Sequence, residues 1–184
     1  NPPQDKPSTV QENLFDVIVV GSGAAGMSAA VSAAESGAHR ILVLEKAPTM
    51  GGHTMVSTGY VSAINRDRLS PSQIEAAYKS MLESMHRMSG GRGNISLQKK
   101  LVKDSADIID WLAGMGLKWE HNVFQTLAGL APRSYISSAV RAGYDYITTL
   151  NKCAREFGID VRFSTRARAL LVDDEGSVKG LEAQ

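Results

Sequence analysis

Residues 15–20 run FDVIVV, an apolar, β-branched stretch with no polar break after Asp16. That pattern predicts a short buried strand. Over residues 24–35 the apolar positions change to a helical period rich in alanine, and Gly37 stands where a glycine commonly ends a helix. Residues 40–44 form a second apolar run. Together they predict one β-α-β unit with a right-handed crossover, and hence a parallel sheet.

The pattern then loosens. Residues 47–65 are rich in glycine, serine and threonine, with a glycine pair at Gly51 and Gly52; long ordered loops of this kind are often functional. Ser70 and Pro71 suit the N-cap and first position of a helix running to about Met88, which SGGRGN ends. A further helix over 96–114 is expected to place Leu97, Leu101, Ile108, Ile109 and Leu112 on its packing side. Residues 114–140 show no period and read as irregular. A last amphipathic helix over 140–157 closes at Gly158, and strands follow near 159–163 and 167–172. A turn at residues 173–176 leads into a second strand just begun, so the sequence reads as a segment of a longer protein. The fold class is α/β: a Rossmann-like domain with a parallel sheet plus a small β-meander.

A chain of 184 residues can bury a sizeable single core. With 43% hydrophobic and 21% charged residues the composition is that of an ordinary globular domain. A net charge of +1 gives no basic field for nucleic acid, and no apolar run nears the ~20 residues of a membrane helix. Cys153 alone makes neither an internal disulfide nor a zinc site, and its place on an apolar helix side predicts a buried, inert thiol. His39, His86 and His121 lack metal-ligand spacing, so no metal is expected. Trp111 and Trp119 read as core. Arg133 and Arg141 have the chemistry for a carboxylate, with solvated or structural roles as the alternative. The Pro-rich residues 1–14 read as a linker or arm.

The chemistry concentrates at VGSGAAG. Three glycines spaced G-x-G-x-x-G follow a strand and open a helix, which is the context of a dinucleotide fingerprint. Gly21 permits the tight turn, Gly23 leaves room for a pyrophosphate at the backbone, and Gly26 lets helix and strand pack closely. The helix N-terminus offers unpaired N–H groups to phosphates. Glu45 ends the second apolar run about twenty residues on, where a carboxylate meets a ribose hydroxyl and repels a 2′-phosphate. A surface Glu45 paired with Lys46 is the alternative. The glycine-rich segment after Glu45 suits a chain running along an extended cofactor.

The stretches DVIVVGSGAAGMSAAVSAAESGA, ILVLEKAPTMGGHTMVSTGYVSA, DSADIIDWLAGMGL and GIDVRFSTRARALLVDDEGSVKG resemble, in order and spacing, the fumarate reductase/succinate dehydrogenase flavoprotein family. Within that family the chain most resembles the soluble branch of flavocytochrome fumarate reductases, urocanate reductases and related 2-enoate reductases. The resemblance implies FAD as cofactor, with residues 15–184 as the N-terminal part of an FAD-binding domain. It implies that Gly21, Ser22, Gly23, Ala24, Ala25 and Gly26 form the diphosphate loop, and that Glu45, with Lys46 beside it, holds the adenosine ribose. Gly51, Gly52, His53 and Thr54 would pass the diphosphate, Ser57, Thr58 and Gly59 would follow the flavin edge, and Ala167 would touch adenine. His53 stands where asparagine is common; it fills that place or hydrogen-bonds the flavin.

The activity implied is hydride transfer from FAD N5 to the C=C bond of a small unsaturated carboxylate. An electron-donor domain or protein carrying haem or FMN is an implied partner. The alternatives are a dehydrogenating enzyme like ketosteroid dehydrogenases or aspartate oxidases, and a non-catalytic nucleotide-binding module. The resemblance places the catalytic arginines and histidines, the capping domain and the second half of the FAD site after residue 184, so no residue of this chain is expected to be catalytic. A periplasmic and a cytoplasmic location both fit.

Overall fold

The computed structural model describes residues 14–125, 133–139 and 141–184. The arm expected over residues 1–14 therefore lies outside the described residues, except for Leu14.

The first strand, β1 (Val17–Val20), leads into helix α1 (Ala24–Glu35) and strand β2 (Ile41–Leu44), as the pattern predicts. The two strands pair in parallel, with Val17 opposite Ile41 and Val20 opposite Leu44. Gly37, at φ +96°, ends α1, and its N–H and that of Ala38 return to the carbonyls of Ala34 and Ala33. Asp16 ties the outer end of the unit, its Oδ2 accepting the His39 and Arg40 N–H groups at 3.1 and 2.9 Å.

The chain then forms a short 3₁₀ turn (Gly52–Val56), strand β3 (Val61–Ser62), and helices α2 (Pro71–Met88) and α3 (Ile95–Gly114). Gln73 accepts the Ser70 N–H at 2.9 Å, fixing the start of α2. Asn94 caps α3 by accepting from the Ser96 and Leu97 N–H groups. Strand β4 (Ser134–Tyr135) pairs antiparallel with β3. Helix α4 (Ala142–Glu156) then leads into β5 (Asp160–Arg162), which adds in parallel to β2. The sheet order is β1-β2-β5.

The main core lies between this sheet, α1 and α4. Met27, Ala30, Val31, Val43 and Ile147 are fully buried, with Leu150 and Ala154 beside them. Burial of such side chains contributes roughly 1.5–3 kcal/mol each for the larger ones. Cys153 belongs to this core, and burial pushes its thiol pKa up, consistent with an inert role. Trp111 and Trp119 pack half-buried against it, their indole N–H groups bonded to Glu35 and to the Ile109 carbonyl.

Three expectations change. The first strand is not buried throughout: β2 has a neighbour on each side and is, whereas among the described residues β1 pairs with β2 alone, and Val20 at its end is 61% exposed. Helix α3 buries Gln98, Val102, Ser105, Ala106, Ile109 and Leu112, while Leu97, Leu101 and Ile108 stay exposed. Apolar residues occur on both sides of this helix, and periodicity alone does not say which side meets α2. The final strand is more than begun: β6 (Ala167–Val172) and β7 (Val178–Ala183) are six residues each and pair along their length. Among the described residues the expected meander is thus a two-stranded hairpin, closed by Asp173 accepting from the Glu175 and Ser177 N–H groups.

Candidate functional site

The carboxyl ends of β1, β2 and β5 converge on one edge of the sheet, where open α/β sheets bind ligands. Gly21 leaves β1 at φ +98°, a conformation that favours glycine, while its N–H still donates to the Leu44 carbonyl at 2.8 Å. Gly23 precedes α1 in extended conformation. A Cβ there would meet only Thr54 Oγ1 at 3.7 Å and the Gly51 carbonyl at 3.8 Å, so the protein itself leaves space above the loop. The N–H groups of Gly23, Ala25 and Gly26 have no partner among the described residues, and that of Ala24 donates to Thr54 Oγ1 at 3.1 Å. The helix end thus presents donors and the positive end of its dipole.

Glu45 is not a surface residue paired with Lys46; it is 7% exposed. Its Oε2 accepts the Ser22 N–H at 2.9 Å and the Ser22 hydroxyl at 2.7 Å, and its Oε1 accepts the Ala47 N–H at 2.8 Å. Burial pushes the carboxyl pKa up, but these hydrogen bonds and the Lys46 charge outweigh it and hold it below the ordinary glutamate value. Glu45 is therefore a buried, ionised acceptor. Its backbone continues the theme: the Glu45 carbonyl accepts from Thr165 at 2.9 Å and the Ala47 carbonyl from Ser164 at 3.0 Å. These bonds lay the chain after β5 beside the carboxylate.

A groove of about 470 Å³ opens there. Gly21, Glu45, Lys46, Gly52, His53 and Ala167 line it, so residues distant in sequence meet. Unpaired donors for phosphates, a buried carboxylate for a ribose and a groove with an apolar wall fit an adenine dinucleotide.

The comparisons with known proteins agree. Residues 16–184 match the model of the family described as FAD binding domain. The chain belongs to the FAD-binding domains of the fumarate reductase/succinate dehydrogenase flavoprotein family. This FAD-binding domain is 33% identical over 176 residues to a fumarate reductase (cytochrome) of Shewanella frigidimarina, covering 95% of the chain and 30% of that protein. The structure of the open conformation of a flavocytochrome c3 fumarate reductase superposes with a TM-score of 0.80 at 29% identity, over 92% of the chain and 30% of that protein. A 3-ketosteroid-delta4-(5alpha)-dehydrogenase from Rhodococcus jostii RHA1 shares the fold, with a TM-score of 0.77 at 23% identity over 97% of the chain and 44% of that protein. The FAD-binding domain described here thus spans less than half the length of each.

Within this domain the expected residues divide into three groups. The loop of Gly21, Ser22, Gly23, Ala24, Ala25 and Gly26 forms the turn and helix end, and Gly51 and Thr54 bond to it, the Gly51 N–H donating to Ser22 and Thr54 Oγ1 accepting the Ala24 N–H. Glu45, Lys46, Gly52, His53 and Ala167 border the groove. Ser57, Thr58 and Gly59 do not; they follow the 3₁₀ turn, where the Ser57 hydroxyl donates to the Thr54 carbonyl and the Gly59 carbonyl accepts from the buried Tyr146 hydroxyl. Sequence reasoning missed Val20, Leu44, Thr165 and Arg166 as groove residues. The first two are strand ends, legible from the rule that sites form at the carboxyl ends of parallel strands. No local signal marks the others. A Cβ on Gly143, in α4, would collide with the Thr54 carbonyl, so α4 abuts the segment beside the loop. Arg141 lies over the Tyr144 ring, and Arg133, partly desolvated, lines a separate groove beside α2.

Proposed function

We propose that this domain serves a flavin-dependent oxidoreductase that reduces the C=C bond of a small unsaturated carboxylate. The observation that carries the cofactor role is the convergence of Glu45, Gly52, His53 and Ala167 on one groove beside the N-terminus of α1. The substrate class is supported by the likeness to a fumarate reductase at 33% identity.

In this reading the N–H groups of Gly23, Ala25 and Gly26 hold the diphosphate. Glu45 accepts from the adenosine ribose, and Val20, Thr165, Arg166 and Ala167 flank the adenine. His53, Thr54, Ser57, Thr58 and Gly59 continue toward the flavin. Bound FAD supplies hydride chemistry to an activated double bond. The residues of this chain bind and orient the cofactor, and none of those described is assigned a catalytic role. Electrons arrive from a donor domain or protein carrying haem or FMN.

The test begins with the purified flavoprotein. Heat-released cofactor identified by mass should be FAD; FMN alone would overturn the assignment of Glu45 and the loop. Reduced-viologen oxidation with a panel of unsaturated acids tests the reaction. Oxidation of saturated substrates without reduction of any enoate would favour the dehydrogenating direction, which the same fold also serves.

A further inference from the structure

Ser22 is fully buried, and both of its hydrogen-bond donors end on one atom: the N–H and the hydroxyl each reach Glu45 Oε2. The hydroxyl also accepts the Gly51 N–H at 3.2 Å, and the Ser22 carbonyl accepts it at 3.1 Å. One side chain therefore joins the glycine loop, the carboxylate after β2 and the glycine pair that follows. A serine hydroxyl carries a single proton, which here is committed to Glu45. Neither donor of Ser22 remains for a phosphate.

A carboxylate offers about four lone-pair positions. Ser22 occupies two on Oε2, and the Ala47 N–H occupies one on Oε1. The free position is on Oε1. We propose that Ser22 is a positioning residue that acts on FAD through Glu45, anchoring Oε2 so that Oε1 receives a ribose hydroxyl. This rests on the reading that Glu45 binds the ribose. Without the hydroxyl, Oε2 keeps one donor and the carboxylate is free to turn. The Gly51 N–H keeps only its backbone partner.

The experiment is FAD titration of the purified apo-flavoprotein and its variants, from about pH 8 down to about pH 4. Ser22→Ala should weaken FAD binding about tenfold at neutral pH, the scale of one hydrogen bond to a charged group. The acid loss of affinity should begin at higher pH than in the wild type, because one bond holding Glu45 ionised is gone. Lys46, His53 and Arg166 line the same groove and are present in both proteins. In a Glu45→Gln background the same serine change should cost less than about twofold, because the two residues act as one unit. Ser22→Gly gives a second reading should the alanine variant fold poorly. Ile109→Val, a core change in α3, should leave the acid limb in place. Unchanged affinity and acid limb in Ser22→Ala, or losses additive with Glu45→Gln, would overturn the proposal. A wild-type protein that takes no FAD would overturn the ribose reading and this proposal with it. Wild-type binding that is indifferent to Glu45→Gln would overturn both likewise, which separates them from a failure at Ser22 alone.

Discussion

A Cβ placed on Gly26 falls 1.9 Å from the carbonyl oxygen of Gly21 and 3.3 Å from Val19 Cγ1. The obstacle is backbone and cannot rotate away. Gly26→Ala should therefore force α1 off β1 and cost about 3 kcal/mol or more. Denaturant unfolding measures it, and a loss under about 1 kcal/mol would show that the helix shifts freely.

Gly23 makes the opposite prediction. A Cβ at this position meets only ordinary contacts within the protein, at 3.7 and 3.8 Å. Gly23→Val should keep its far-ultraviolet dichroism and a cooperative transition, yet lose FAD binding, because the added carbons fill the space above the loop. Retained affinity in the folded variant would place the diphosphate elsewhere.

Glu45→Gln should weaken FAD binding by roughly 1–2 kcal/mol, the scale of a charge-assisted hydrogen bond. It should also change acid stability. The Glu45 pKa is lower in the folded protein than its ordinary value. The ionised carboxylate thus stabilises the fold fully above the unfolded-state pKa and loses that contribution as pH falls through the folded-state one. Denaturation of both proteins at neutral pH and below about pH 4 checks this: wild type should be the more stable at neutral pH, with the gap narrowing in acid.

Tyr146 is 5% exposed and donates to the Gly59 carbonyl, and burial pushes its phenol pKa up to about 12. Tyr146→Phe leaves that buried carbonyl without its donor. The expected loss is about 1–3 kcal/mol in a denaturant midpoint at constant slope. An unchanged midpoint would mean water replaces the phenol.

The β-α-β unit was legible because each of its signals is local. The apolar runs, the alanine-rich period and Gly37 all agree with the element that forms, and so do Ser70 and Pro71 at the start of α2. The packing side of α3 was not, since Leu97 and Leu101 satisfy a helical period as well as Val102 and Ile109 do. At the site, the glycine spacing and Glu45 were readable because dinucleotide chemistry fixes their separation. Thr165 and Arg166 owe their place to the backbone bond from Thr165 to the Glu45 carbonyl. Such a bond uses backbone atoms that every residue but proline has, and it leaves no mark in the sequence.

That same bond has a dynamic consequence. The β6–β7 hairpin leaves Leu170, Leu171, Val172 and Val178 in solvent, yet its root is stitched to the backbone at Glu45 and Ala47. Opening the hairpin root and loosening the carboxylate's strand end are then one event. An occupied groove should slow amide exchange at Ser164 and Thr165, so those two protons become reporters of nucleotide occupancy.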